Sequence, residues 1–302
     1  MGCLTVLKNR KGNAALILKY EDIFSCPICS SKMKLVNAKS LICNHHHCFD
    51  VSRRGYINML PHPGRGKYDQ SMFESRRIVY RSGLFEPLVE KISREMINNI
   101  ESNRDRVLVL DAGCGEGFML SSITDRLSQN AVNRVSGIGV DVSKAGISMA
   151  SGEYPEGIWC VASISRCPFE GKQFDFILNV LSPSNYSEFQ RLLSDDGTVV
   201  KVIPESGYLQ ELREVFYERT DRGFYSNEKT MELFKSSLVL LDIQRLRYSA
   251  TLDNTLIRHL ARMTPLSWGA TRERLQKVLE MDAKEITIDL AILLGRKKNQ
   301  GN

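Results

Sequence analysis

Two groups of side chains in this sequence have the types and spacing to do chemistry. The first is Cys26-Pro-Ile-Cys29, followed after thirteen intervening residues by Cys43-Asn-His-His-His47-Cys48. Two such hooks, each on a tight turn, converge readily on one tetrahedral zinc ion. Spacing alone leaves the second pair open between Cys43/His47 and Cys43/Cys48. Four protein ligands would close the coordination sphere, and no glutamate lies inside the unit to act as a base. The expected ion is therefore structural rather than catalytic. The second group is Val107-Leu-Val-Leu-Asp111-Ala-Gly113-Cys-Gly115-Glu116-Gly117. It reads as a strand running into a glycine turn and then a helix. Glycines there let backbone N–H groups approach a ligand closely.

The glycines alone do not separate a dinucleotide site from other nucleoside sites. Two carboxylates do. Asp111 precedes the glycines, where it can meet an ammonium group or ordered water. Asp141 ends a second strand, Val135-Ser-Gly-Ile-Gly-Val-Asp141, placed to accept hydrogen bonds from both hydroxyls of a ribose. The pair resembles the first two motifs of the class I S-adenosylmethionine methyltransferases. A third segment, Trp159-Cys-Val-Ala162-Ser163, resembles the adenine side of such a site. Many relatives carry an acid there; with Ala162 and Ser163, backbone groups would have to read the base. The loop Asn179-Val-Leu-Ser182-Pro-Ser184 should face the transferred methyl, because ligands sit at the carboxyl ends of parallel strands. Asn179 and Ser182 are candidates to orient the acceptor.

These residues need a frame, and the periodicity supplies one. Helices are expected over 69–80 and 85–100, the latter with Val89, Ile92, Met96 and Ile100 on one face. Strands at 107–110, 135–140, 158–162, 174–180 and 198–203 alternate with helices at 118–127, from 143, and at 187–193. Asp195-Asp-Gly197 reads as a turn. Helices over 208–219, 228–235 and 272–281 and late strands over 238–247 and 285–294 complete the chain. Alternation of this kind implies an α/β fold whose parallel sheet is covered by helices on both faces. Residues 1–23 read as a weakly structured arm, 24–68 as a Cys/His module with a Pro/Gly-rich linker, and 69–302 as the domain that holds the cofactor.

Composition sets limits. The 302 residues are 42% hydrophobic and 25% charged, ordinary for a globular protein. No apolar run reaches the length of a membrane span, and the N-terminus fits neither a signal peptide nor an acylation site, so the expected location is cytoplasmic. The net charge is +6, yet residues 1–68 hold eleven Lys and Arg against Glu21, Asp22 and Asp50, a local +8. A phosphate-rich partner is expected for that part. Lys32, Lys34, Lys39, Arg53, Arg54, Arg65 and Lys67 are the candidate phosphate contacts, and Tyr56 a base-stacking aromatic. Arg76 and Arg77 would extend this track or pair with acidic neighbours.

Together the segments carry a family resemblance. Phe24-Ser-Cys-Pro-Ile-Cys29, Ile42-Cys43 with His47 and Phe49-Asp50, and Arg54-Gly-Tyr-Ile-Asn-Met-Leu60 resemble the N-terminal zinc module of the bacterial 23S rRNA guanine-N1 methyltransferases, the RlmA family. The likeness continues through Asp69-Gln-Ser-Met72, Glu74-Ser-Arg-Arg77, Val109–Gly117, Gly139–Lys144, Val161–Ser163 and Met263-Thr-Pro-Leu-Ser-Trp268. The resemblance implies a Rossmann-like, mostly parallel seven-stranded sheet with a small zinc module. It implies His47 as fourth ligand beside Cys26, Cys29 and Cys43, and cofactor contacts at Phe85, Gly115, Glu116 and Tyr208. It implies methyl transfer to guanine N1 in a hairpin loop of 23S rRNA, and a homodimer. The base must then lie outside its stack and lose its N1 proton. Asp50, Asp69 and Glu205 are candidate proton acceptors. A small-molecule methyltransferase and a non-catalytic RNA-binding protein are the competing readings. Two separable modules would make Cys43→Ala weaken RNA binding more than cofactor binding.

Overall fold

The computed structural model describes residues 13–61, 69–100, 106–130, 134–217 and 226–298. Its central feature is one sheet of eight strands, in the order β10-β11-β9-β8-β5-β6-β7-β4. In chain order β4 is Ile57–Asn58, β5 Val107–Ala112, β6 Val135–Asp141, β7 Ile158–Val161, β8 Phe174–Val180, β9 Leu193–Pro204, β10 Val239–Leu252 and β11 Lys284–Arg296. Strands β4 to β9 run parallel, and β11 and β10 close the far side antiparallel. Seven of these are the expected sheet. The eighth, β4, comes from the N-terminal segment and pairs Ile57 with Cys160 beside β7.

The helices are α1 (residues 13–19), α2 (Gln70–Arg81), α3 (Glu86–Asn98), α4 (Phe118–Asn130), α5 (Lys144–Glu153), α6 (Tyr186–Leu192), α7 (Gln210–Phe216), α8 (Glu228–Ser237), α9 (Asn254–Met263) and α10 (Arg272–Leu279). Every residue of β5 is buried, as a central strand covered on both faces requires. In α3 the apolar face is Leu88, Val89, Ile92 and Met96, all with no exposed area. Each such side chain contributes about 1.5–3 kcal/mol by leaving water.

The structure departs from the sequence reading in four places. Residues 13–19 are helical, and Ala14, Ile17 and Tyr20 are buried, so this part of the supposed arm belongs to the core. A helix not expected, α9, is capped by Asp253, whose carboxylate accepts the Leu256 amide at 2.7 Å. It packs on α2 and β10. The Asp195–Gly197 turn is a bulge inside β9: Leu193 pairs with Phe174 but Thr198 with Phe176, so residues 194–197 loop out. Finally, the described part of the Cys/His module packs against the large sheet. Its own three-stranded sheet of β1 (Met33–Val36), β2 (Ser40–Cys43) and β3 (Cys48–Asp50) shares one apolar cluster with the large sheet. Phe24 packs on Phe169, whose ring meets Phe174 edge-on.

Candidate functional site

The parallel strands bring the chemistry to one edge. Asp111 pairs with Gly139 on β6 and Leu178 on β8, Asp141 with Val161, and Asn179 with Lys201. The carboxyl ends of β5, β6, β7 and β8 therefore present Asp111, Asp141, Ala162 and Asn179 side by side.

The glycine turn is stitched to the end of β6. Gly113 and Cys114 donate their amides to the Val140 carbonyl at 2.8 and 3.1 Å, and Gly115 donates to Asp141 Oδ2 at 3.0 Å. Asp141 Oδ1 accepts the Ser143 amide at 2.8 Å at the start of α5. Gly113, Gly115 and Gly117 all have positive φ, +95°, +57° and +89°. At Gly113 a Cβ would lie 2.0 Å from Ser182 Oγ, and at Gly117 it would strike Trp159 and Ala150. Only glycine fits this path.

The pocket electrostatics favour a cationic guest. Asp111 and Glu116 are each 2% exposed. Asp111 Oδ1 and both Glu116 oxygens have no hydrogen-bond partner among the described residues. Burial pushes the Asp111 carboxyl up to about 8, and the charges of Asp141 and Glu116 add to that. Burial likewise takes Glu116 up to about 7, while Arg76 opposes the rise. Asp141 is raised by burial against the pull of its amide donors. The nearest cation is Arg76 of α2, whose Nε stands 3.9 Å from Glu116 Oε2 and whose guanidinium lies over the Phe73 ring. Three carboxylates against one guanidinium leave the pocket short of positive charge. A ligand carrying an ammonium, a sulfonium and a ribose diol matches these orphaned acceptors, so the residues fit S-adenosylmethionine.

Tyr80 links Phe85 and Tyr208, two of the other expected contacts, to this centre. Tyr208, partly buried, and Tyr80 lie within electrostatic reach of each other and of Arg76, and burial raises both phenols far above their ordinary value. Tyr80 stacks on Phe118 at 5.0 Å, and Phe85 meets Tyr80 edge-on at 5.1 Å from a fully buried position. The Ala162 amide already donates to the Asp141 carbonyl at 3.0 Å, so it is not free to read a base. Ser163 Oγ pairs with Ser165 Oγ. Tyr80 was not expected here; Arg76 was expected to extend the basic track or pair with an acidic neighbour, and it meets Glu116. The two sit one helical turn apart on α2, and Tyr80 is among its buried residues.

The loop after β8 is tied down by buried side chains. Asn179 has no exposed area, and all its polar atoms are used. Its Nδ2 donates to the carbonyls of Ala112 and Pro183 at 2.6 and 2.9 Å. Its Oδ1 accepts from Ser184 Oγ and from Lys201 Nζ. Asn179 thus braces this loop, and each of its polar atoms has a partner inside the protein. Asp69 is also corrected. It caps α2 by accepting the Met72 amide at 2.8 Å, and that bond with the Ser71 hydroxyl holds its carboxyl below the usual range. Asp50 accepts the Ser40 hydroxyl on the small sheet. Ser182 lies against Gly113, and Glu205 sits at the β9 end with its amide on the Asp289 carbonyl.

In the Cys/His unit, the ligand atoms of Cys26, Cys29, Cys43 and His47 all lie within 4.8 Å of one another. Cys29 and Cys43 sulfurs are 3.7 Å apart, and His47 Nδ1 is 3.5 and 3.4 Å from the Cys26 and Cys43 sulfurs. Thiolates about 2.3 Å from a tetrahedral zinc stand about 3.8 Å apart, so the cage has the right size. Each hook is a turn closed by backbone bonds: Ser30 N to Cys26 O, and His46 N to Cys43 O. Cys48 is exposed and points to Asp50, outside the cage. The Ser31 hydroxyl and amide draw the Cys29 thiol down to about 5.

The basic track divides. Lys32, Lys34, Lys39, Arg53 and Arg54 are exposed. Arg54 donates to Ser148 Oγ at 2.8 Å. Tyr56 is 7% exposed within the core, so it cannot stack on a base. Arg77 is paired with Glu153, which also holds Arg81. Arg65 and Lys67 lie outside the described residues.

Comparison with known proteins places this arrangement. Residues 24–64 match the model of the RlmA N-terminal zinc ribbon, and residues 109–200 match a methyltransferase domain. The chain is 42% identical over 280 residues to a Bacillus subtilis protein named "Putative 23S rRNA (guanine-N(1)-)-methyltransferase YxjB", covering 91% of this chain and 98% of that protein. It is 25% identical over 275 residues to the 23S rRNA (guanine(748)-N(1))-methyltransferase of Streptomyces fradiae, covering 90% and 95%. Ribbon, glycine turn and full-length likeness agree, and the chain belongs to the RlmA family of 23S rRNA guanine-N1 methyltransferases.

Proposed function

We propose that the chain transfers a methyl group from S-adenosylmethionine to N1 of a guanine in a 23S rRNA hairpin loop. The observation that carries this is the union, in one core, of a carboxylate-rich cofactor pocket with a basic Cys/His ribbon. The cofactor supplies an electrophilic methyl group, so the protein's work is chiefly alignment. Asp111, Glu116 and Asp141 hold its cationic and ribose ends. Gly113, Gly115 and Gly117 let the backbone approach, and Phe85, Ala162, Ser163 and Tyr208 enclose it. Cys26, Cys29, Cys43 and His47 hold one zinc ion. Lys32, Lys34, Lys39, Arg53 and Arg54 grip phosphates, with Arg65 and Lys67 continuing the track.

Ser182, against the glycine turn, and Glu205, just after β9, stay as candidates to meet the acceptor. With Asp50 and Asp69 tied to local bonds, Glu205 is the better candidate to take the N1 proton. Residues 24–68 act as the RNA-reading module, 69–302 as the transferase. The proposal includes a homodimer and a cytoplasmic location; no helix among the described residues is long and apolar enough to cross a membrane.

The test is labelled methyl transfer to 23S rRNA with primer extension. A methyl on N1 blocks pairing and should arrest the copy at one guanine. Unlabelled RNA with no new stop would sink the proposal. A small-molecule methyltransferase would instead show no salt-sensitive binding to RNA.

A further inference from the structure

The buried side chain with the least explained role is Lys201. It sits on β9, 4% exposed, directly opposite Asn179 of β8. Its Nζ donates to Asn179 Oδ1 at 2.6 Å and to the Ser182 carbonyl at 2.5 Å. No carboxylate is paired with it among the described residues, and burial lowers its ammonium to about 8. A lysine buried without a counter-ion is costly, and such a group persists where its donors do something an apolar side chain cannot.

What they do is visible in the partners. The loop after β8 begins with Leu181 in the left-handed region, φ +49°, its amide on the Val202 carbonyl. It is then held at successive points: Ser182 O by Lys201, and Pro183 O and Ser184 Oγ by Asn179. Asn179 in turn ties this loop to Ala112 O, the residue before Gly113. Ser182 Oγ occupies the space that a side chain at Gly113 would need. One ammonium therefore fixes two acceptors, and through them the loop and the glycine turn become one body across the carboxyl ends of β5 and β8.

We propose that Lys201 is a positioning residue, whose ammonium sets the place of the 181–184 loop and of the Ser182 hydroxyl against the glycine turn. It acts through Asn179 and Ser182 and does not itself touch the reacting atoms. The idea rests on the methyl-transfer reading above only for its kinetic arm.

The test uses the full-length zinc-loaded protein and Lys201→Met, which keeps side-chain length and removes the charge without stranding another. Hydrogen exchange of the Leu181 amide, held by the Val202 carbonyl, should quicken by about tenfold or more in the variant, with exchange in α3 unchanged. S-adenosylmethionine affinity by calorimetry should stay within about twofold, while single-turnover methyl transfer to 23S rRNA falls at least about tenfold at unchanged RNA KM. Ser184→Ala, which removes only one donor to Asn179, should give a smaller change in the same direction. If wild type does not methylate RNA, the functional reading fails while the exchange arm still tests the lysine. Loop exchange identical to wild type overturns the proposal. So does a uniform rise in exchange across the core with a matching loss of cofactor affinity, because the lysine would then serve the fold at large.

Discussion

Arg166 donates to the Ile28 carbonyl at 3.3 Å, with Ser30 Oγ at 3.2 Å on the same Nη2. Arg166 follows Ala162 and Ser163 just beyond the end of β7, and Ile28 lies inside the first cysteine hook. The same junction is sewn by Ser25 N to Pro168 O and by Glu170 N to Ile23 O. Cage and pocket therefore share a wall. Stripping zinc, or Cys43→Ala, is expected to weaken S-adenosylmethionine binding together with RNA binding, contrary to the expectation of separable modules. Arg166→Ala removes only the exposed link, about 1 kcal/mol, and should weaken the cofactor about fivefold with zinc retained. Calorimetry alongside a colorimetric zinc assay checks both.

The carboxylate pocket predicts a pH dependence. Asp111 and Glu116 stand raised to about 8 and about 7 in the ligand-free protein. A cationic ligand needs both ionised, so its binding expels protons below pH 8. Affinity should climb from pH 6 to 8, by up to about tenfold per unit for each proton released. The same shifts act on the fold in the opposite sense. Their stability contribution is full below the ordinary carboxylate values of 3.8 and 4.5 and declines as pH rises through 7 and 8. Ligand-free protein should melt higher at pH 5.5 than at pH 8 on this account, and Asp111→Asn should flatten the difference. An unchanged slope in that variant would remove Asp111 from the explanation.

The glycines are not equivalent. Gly113→Ala combines a φ of +95° with a Cβ 2.0 Å from Ser182 Oγ, whose loop is pinned. Gly115→Ala meets Arg76 Nη1 at 2.7 Å, the far end of a flexible side chain. Gly113→Ala should cost about 2–3 kcal/mol and abolish measurable cofactor binding. Gly115→Ala should cost about 1 kcal/mol and reduce affinity. Thermal melts and calorimetry on the two variants rank them directly.

On the ribbon, exposed Lys32, Lys34, Lys39 and Arg53 should behave as phosphate contacts. Changing all four to Gln should reduce the salt dependence of RNA-hairpin binding by roughly 0.7 in log–log slope per lost contact, with cofactor binding intact. Tyr56→Ala should instead destabilise the whole protein by about 3 kcal/mol, since its ring belongs to the core. Fluorescence anisotropy across a salt series separates the two.

What the sequence disclosed depended on how local the cause was. The glycine turn and the cysteine hooks depend on residues a few positions apart, and both were readable. The α9 helix was equally local: Asp253 before Leu256, Ile257, Leu260 and Ala261 is a capped apolar stripe. It was overlooked rather than hidden. Asn179 and Tyr56 were different. Each has a polar or aromatic side chain that reads as functional, and only the neighbours supplied by distant strands turn it into a brace or a core residue. The eighth strand was hidden for the same reason, because two residues carry no periodicity.

That short strand also bears on how the chain is made. Ile57 and Asn58 find their partners at Cys160 and Val161, about a hundred residues later. During synthesis Ile57 and Asn58 are made while their docking edge is still untranslated. Contacts this remote in sequence close slowly. The basic ribbon is thus seated on the sheet only after β5, β6 and β7 have formed, so a segment made before the sheet is locked to it last.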